Sequence, residues 1–342
     1  MHAIIEIDGV TKYYGAHAAV SDLSFRISPG EVVGLLGLNG AGKTTTLRIL
    51  SGLLVPTSGR VTIAGIDMAR DPEGVRSRIG FLPESPPLYS EMTVGAYLAF
   101  VAHIKGARGD VEHAIDETLT ATDLHAVRHK VIRTLSFGFR KRVGIAQAIV
   151  NRPALLLLDE PSNGLDPIQI VHMRNVINGL RAHNTILVSS HILSEIHALC
   201  DRIFVLQDGR IAAEGSEEAL AQKVAGDTKV RLEVRGDRRV LTAALDDDDH
   251  VTHHTIEREE DGVTFATVEL RSDCREELAK LVVNAGLGLR RLERVRLQLE
   301  GIFLKLAGED KQNPDAPNAA PQDTAPQDTA PQNTSPRREA QP

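Results

Sequence analysis

The sequence predicts an α/β protein: a mainly parallel sheet with an inserted helical subdomain, followed by a small α+β domain and a tail. Three observations predict it. From residue 1 to about 222, short β-rich apolar runs alternate with helical stretches, the order that builds a parallel sheet. From about 86 to 152 the strand signals thin out and apolar residues recur at helical spacing. From 228 to 306 alternating strands and amphipathic helices return, and from 308 to 342 bulky apolar residues vanish.

Taken in order, EVVGLL (31–36), ALLLLD (154–159), NTILVSS (184–190) and RIFVLQ (202–207) read as strands, the middle two apolar enough to be central. Within the insertion, Val94, Tyr97, Leu98 and Val101 form a helical stripe that predicts core, and Asp110 to Asp123 is a polar-faced helix. In the later domain, KVRLEVRG and GVTFATVEL alternate as strands, while RRVLTAAL and REELAKLVVNAG are helical, the latter closed by Gly286. Leu299, Ile302, Phe303 and Leu306 predict a closing amphipathic helix. The tail repeats APQDT, APQDT, APQNT between Ala320 and Thr334 and cannot bury enough surface to offset ordering entropy, so disorder is expected.

Composition narrows the function. The formal charge of -7 over 342 residues argues against a large nucleic-acid face, which needs clustered Lys and Arg. Two cysteines, Cys200 and Cys274, stand far apart without a CxxC pair, so neither a disulfide framework nor a zinc site is expected and a reducing cytoplasm fits. The longest apolar runs fall far short of the roughly 20 residues that span a bilayer. The start, MHAIIEIDGV, lacks the basic and apolar regions of an export signal.

Chemistry concentrates in a few motifs. GLNGAGKTT joins a predicted strand to a predicted helix and is a complete phosphate-binding loop, formed by Gly37, Leu38, Asn39, Gly40, Ala41, Gly42, Lys43, Thr44 and Thr45. Its glycines let backbone N–H groups approach phosphate oxygens. Lys43 is placed to reach the β- and γ-phosphates of a bound nucleotide, and Thr44 to offer its hydroxyl to Mg²⁺. A rigid second metal contact belongs at the end of a buried strand, and ALLLLDE supplies Asp159 there. Glu160 follows as the candidate that polarises the attacking water. PSNGLDP continues without a gap, and LVSSHILSE places His191 just past another strand.

In this order the motifs resemble the nucleotide-binding domain of ATP-binding-cassette (ABC) transporters, over roughly the first 220 residues. LSFGFRKRV falls where that family carries its LSGGQ-like signature, with Ser136 and Asp159 23 positions apart. The resemblance implies an ATPase of two cassettes packed head to tail, in which Ser136 and Gly138 complete the partner's site and Asp166 lies in the inter-subunit loop. It also implies that His191 senses the γ-phosphate, that Tyr14, with Tyr13 next door as the alternative, stacks on adenine, and that the position of Glu84, where the family often has Gln, faces Mg²⁺. Phe137 and Phe139 replace Gly and Gln of the signature. At Phe137 a left-handed backbone, if required, would cost something like 1 kcal/mol. Phe139 would remove a polar contact near the partner's ribose, and packing within the helical subdomain is an equal expectation for both rings.

The finer pattern, LPESPPLY with GLDPIQI and a C-terminal domain ending LEGIFLKL, is similar to ATPase subunits of ABC-2-type exporters, most of all gliding-motility-associated ones. That implies a separate integral-membrane permease, a second copy of this chain, no nucleic-acid partner, and a cytoplasmic location on the inner face of the membrane. Three other readings are weaker. A soluble ABC-type ATPase acting on nucleic acid or ribosomes usually carries a coiled-coil insertion or two cassettes. A GTPase would need an Asn-Lys-x-Asp element, and the sequence has no Asn-Lys pair. A degenerate regulatory cassette would not be expected to keep Lys43, Asp159, Glu160 and His191 together.

Overall fold

The structure is a computed structural model describing residues 3–106, 109–216, 219–220 and 228–294. The chain opens with β1 (Ile5–Tyr14), β2 (His17–Ile27), β3 (Val32–Leu36) and α1 (Lys43–Leu50). There follow β4 (Ser58–Ile63), β5 (Ile66–Asp67), α2 (Pro72–Arg76) and β6 (Ile79–Leu82). Three helices come next, α3 (Val94–Ile104), α4 (Val111–Ala121) and α5 (Phe137–Ile149). The chain then alternates through β7 (Leu155–Asp159), α6 (Pro167–Leu180), β8 (Thr185–Ser190), α7 (Leu193–Leu199), β9 (Arg202–Gln207) and β10 (Arg210–Gly215). The last described elements are β11 (Thr228–Arg235), α8 (Arg238–Asp246), β12 (Val251–Glu260), β13 (Val263–Leu270), α9 (Arg275–Asn284) and β14 (Gly288–Arg294).

A six-stranded sheet in the order β10-β9-β3-β8-β7-β6 holds the site. Its inner pairs are parallel and only β10 runs against its neighbour. Strand β7 shows why a run of four leucines forms a central strand: alternate side chains point to opposite faces, and both faces are covered. Leu155 and Leu157 join Val33, Leu35 and Leu187 in a core shared with Ile5, Val20 and Phe25 of β1 and β2. Leu156 and Leu158 face the other way, against Met173 and Ile177 of α6 and Ile196 of α7. All four leucines are buried, and cutting one back to Ala costs about 2–5 kcal/mol at such a position.

The expected strands are present, but β1, β2, β4 and β5 form a second, antiparallel sheet in the order β2-β1-β4-β5 that the sequence reading did not anticipate. Register shifts between Ile7 and Val10 and again near Lys12 break the two-residue alternation that would have revealed β1. In the helical stretch, Val94, Tyr97, Leu98 and Val101 are buried against Ile115 and Leu119 of α4 and Val143 of α5. Thr93 and Asp110 cap α3 and α4 through the amides of Ala96 and His113.

Residues 228–294 build a four-stranded antiparallel sheet, β12-β13-β11-β14, with a core that includes Leu241 and Leu245 of α8 and Leu278 and Val282 of α9. Gly286, with φ of 74°, follows the end of α9. Strands β12 and β14 escape the sequence reading because VTHHTIEREE and GLRRLER are edge strands rich in charge. The predicted closing helix around Leu299 to Leu306 and the repeat tail lie outside the described residues. No helix among the described residues is long and apolar enough to cross a membrane.

Candidate functional site

Parallel strands deliver their following loops to one edge of the sheet, and three adjacent strands do so here. Leu36 at the end of β3 pairs with Ser190 of β8, and Asp159 at the end of β7 pairs with Ser189. The phosphate-binding loop, the two acids and His191 therefore emerge side by side. Between them lies a cavity of about 470 Å³, lined by Asn39, Gly40, Gly42, Lys43, Thr44 and Thr45 of the loop together with Ala19, Glu84, Glu160, Asn163 and His191.

The loop is shaped by what it packs against. Gly42 has φ of 104°, and a Cβ there would lie 2.5 Å from the Ala19 carbonyl oxygen, so no side chain fits. Below it, the Gly209 N–H donates to the Ala41 carbonyl at 3.1 Å and the Ser21 N–H donates to the Gly209 carbonyl at 2.9 Å. Gly42 also caps α1 without a side-chain acceptor, and the first turn carries no acid. The helix start thus presents unpaired amides and the positive end of its dipole to the cavity, a setting for phosphate.

Lys43 is 6% exposed and reaches back along the loop, donating to the carbonyls of Gly37 at 2.8 Å and Leu38 at 3.2 Å. Its ammonium also pairs with Glu160 Oε1 at 3.3 Å. The second oxygen of Glu160 meets His191 Nδ1 at 3.0 Å. The three residues singled out from separate motifs are joined through one carboxylate.

Asp159 sits deeper, accepting from the Ser189 hydroxyl at 2.7 Å and the Thr44 hydroxyl at 3.2 Å. Burial pushes its carboxyl above the usual range, and the two hydroxyls work against that. Thr44 and Asp159 are hard oxygen donors in contact, and they leave most of an octahedral shell to water and phosphate, as Mg²⁺ prefers. The donor set fits that ion.

Glu84 lines the cavity, and its Oε1 accepts from Asn163 Nδ2 at 2.9 Å. Tyr14 and Ser136 are exposed and, with Gly138 and Asp166, lie outside the cavity lining. Tyr14 has Lys12 over its ring at 5.7 Å. Asp166 caps α6 through the Gln169 amide at 2.9 Å. Ser136 caps α5, accepting from the Phe139 amide at 3.4 Å. Gly138 is buried beneath Gln169, whose Oε1 would lie 2.5 Å from a Cβ there.

The phenylalanines part company. Phe137 begins α5 and is not among the left-handed residues, so the replaced glycine brings no such strain. Its ring is 44% exposed and abuts Gly164. Phe139 packs against the helical core, with the Arg142 guanidinium stacked at 4.3 Å.

Four residues near the acids were not singled out from sequence. Ser189 donates to Asp159 while accepting the Glu160 N–H at 3.0 Å, so one hydroxyl orients both acids. Glu195 is buried and accepts from Ser190 at 3.1 Å, bracing the turn that carries His191; burial pushes its carboxyl up. Asn163 and Lys141 bridge neighbouring loops. A serine pair ending a buried strand just before His191 was the one available signal.

A model of the ABC transporter family matches residues 20–163. The bacitracin transport ATP-binding protein BcrA of Bacillus licheniformis is 35% identical over 310 residues, which is 90% of this chain and 98% of that protein. The daunorubicin resistance ATP-binding protein DrrA3 of Streptomyces coeruleorubidus is 34% identical over 316 residues, 91% of this chain and 98% of its own. Among solved structures, the dimeric bacterial ABC transporter cassette MJ0796 matches with a TM-score of 0.57 at 28% identity, covering 62% of this chain and 98% of that one.

Proposed function

The chain belongs to the ABC transporter family as an ATP-hydrolysing subunit that drives a separate permease, and from that premise we propose how its site divides the work. Relatives named for bacitracin transport and for daunorubicin resistance support a role in export, of the ABC-2 type. The gliding-motility likeness gains no support from them.

The observation that carries the proposal is the Glu160 carboxylate shared by Lys43 and His191 at the mouth of the phosphate loop. Incoming ATP draws Lys43 onto its β- and γ-phosphates, where the α1 amides already point. Glu160 is then released to accept a hydrogen bond from water, while His191 holds its other oxygen in place. Water oxygen bonds to the γ-phosphorus, the bond to the bridging oxygen breaks with its electrons leaving on ADP, and Glu160 polarises or takes the water proton. Thr44 and Asp159 would hold Mg²⁺, with Glu84 a further oxygen facing it. That ion, when bound, neutralises charge on the transferring phosphoryl group.

ABC ATPases dimerise and partner with membrane permeases. For this chain we place Ser136 and Gly138 in the partner's site, Asp166 at the dimer contact, Tyr14 against adenine, and the dimer on the cytoplasmic face of the membrane. The exposure of Ser136 and its place outside the lining of its own subunit's cavity support the trans role. Phosphate release by the purified chain, compared with Lys43→Ala, tests the reading. Mg²⁺-dependent release that Lys43→Ala abolishes is expected; equal rates would overturn it.

A further inference from the structure

Helix α5 starts at the signature, and one turn in, Lys141 points inward. It is 1% exposed, and its ammonium donates to the main-chain carbonyls of Glu84 at 2.6 Å and Glu160 at 3.1 Å. A cation so deeply buried is costly unless its donors are used and negative charge is near. The carboxylates of Glu84, Asp159 and Glu160 supply that charge and oppose the downward pull of burial on its pKa.

The contact at Glu160 is the informative one. Glu160 has φ of 46°, a left-handed backbone that costs a non-glycine residue about 1–3 kcal/mol and persists only where its surroundings enforce it. Its N–H is held by Ser189, and its carbonyl by Lys141 and by the Asn163 N–H at 3.2 Å. Asn163 in turn donates its side-chain amide to Glu84, whose carbonyl takes Lys141. The bonds close a ring through three segments: the loop after β6, helix α5 and the loop after β7.

We propose that Lys141 is a positioning residue that locks the strained backbone of Glu160, aiming its carboxylate, and ties that carboxylate to the helix bearing Ser136. A subunit's own hydrolytic acid would then register whether its signature helix is seated on the partner's nucleotide. The inference rests on Glu160 as the group that acts on water.

The test uses the full chain with Lys141→Met and Lys141→Gln beside Glu160→Gln, reading kcat and the Kd of a fluorescent ATP analogue. Lys141→Met keeps length but removes the donors, and kcat should fall about tenfold to a hundredfold, as for a slightly misplaced catalytic group, with Kd within about twofold. Lys141→Gln keeps a donor and should fall less. If Lys141→Met does not fold, Lys141→Gln alone decides, by lowered kcat at unchanged Kd. Unchanged kcat in a folded variant overturns the proposal, as does full recovery when Glu84→Gln is added to Lys141→Met, which would reduce the role to charge balance. If Glu160→Gln itself turns over normally, the underlying reading of Glu160 fails instead.

Discussion

The ammonium of Lys43 lies 3.3 Å from Oε1 of Glu160, both side chains buried. Phosphate and the Glu160 carboxylate are thereby competing partners of one cation, and the carboxylate is free for water once phosphate has taken Lys43. Glu160→Gln breaks the pair and frees Lys43, so nucleotide should bind at least as tightly as before. Turnover should fall by about a hundredfold or more, because the polarising charge is gone. Undiminished phosphate release by this variant would remove Glu160 from the chemistry.

Ser189→Ala deletes a hydroxyl that serves both acids, leaving Asp159 with Thr44 alone and the Glu160 N–H without its acceptor. Such a buried loss costs about 1–3 kcal/mol of stability. The half-saturating Mg²⁺ concentration for ATPase activity should rise several-fold. A Mg²⁺ titration that overlays the parent's would show that Ser189 does not orient the metal-binding oxygens.

The trans role of Ser136 is tested by mixing Lys43→Ala and Ser136→Arg subunits in a Glu160→Gln background and counting occluded ATP. Across a head-to-tail dimer, one site collects both lesions and the other has neither. One trapped ATP per confirmed heterodimer is expected. None would mean that each signature serves its own subunit.

Lys105 gives a pH signature unrelated to catalysis. Its ammonium donates to the Gln147 carbonyl at 2.6 Å, and burial pushes its pKa down to about 8 from 10.5. Between those values the unfolded chain holds a proton that the folded chain has shed, so this group adds stability as pH rises through the window and costs most below about 8. Relative to Lys105→Met, the parent's urea midpoint should therefore improve between pH 8 and 10. A constant difference across that range would contradict the shift.

The legible part of the sequence was the part where one residue type has one use. A glycine-rich loop between strand and helix, and Asp159 after four leucines, announce their place because few alternatives satisfy both pattern and position. The antiparallel sheet of β1 and β2 was hidden by bulges that break alternation. Charged edges such as β12, where no residue is fully buried, have little apolar pattern to advertise. The roles of Ser189, marked only by its place in a serine pair at a strand end, and of Lys141 were hidden for another reason: their partners are 30 and 19 residues distant along the chain, and one partner is a main-chain carbonyl, which no side-chain pattern encodes.

The floor of the phosphate loop joins parts outside the cavity lining: the Ala41 carbonyl takes the Gly209 N–H, and the Gly209 carbonyl takes the Ser21 N–H. Gly209 belongs to the turn between β9 and β10, and Ser21 to β2. Any loosening of the loop must release the Gly209 amide, on the side of the loop away from the ligand. Its hydrogen-exchange rate is therefore a sentinel for the loop, reporting how firmly the cradle is set without being shielded by whatever fills it.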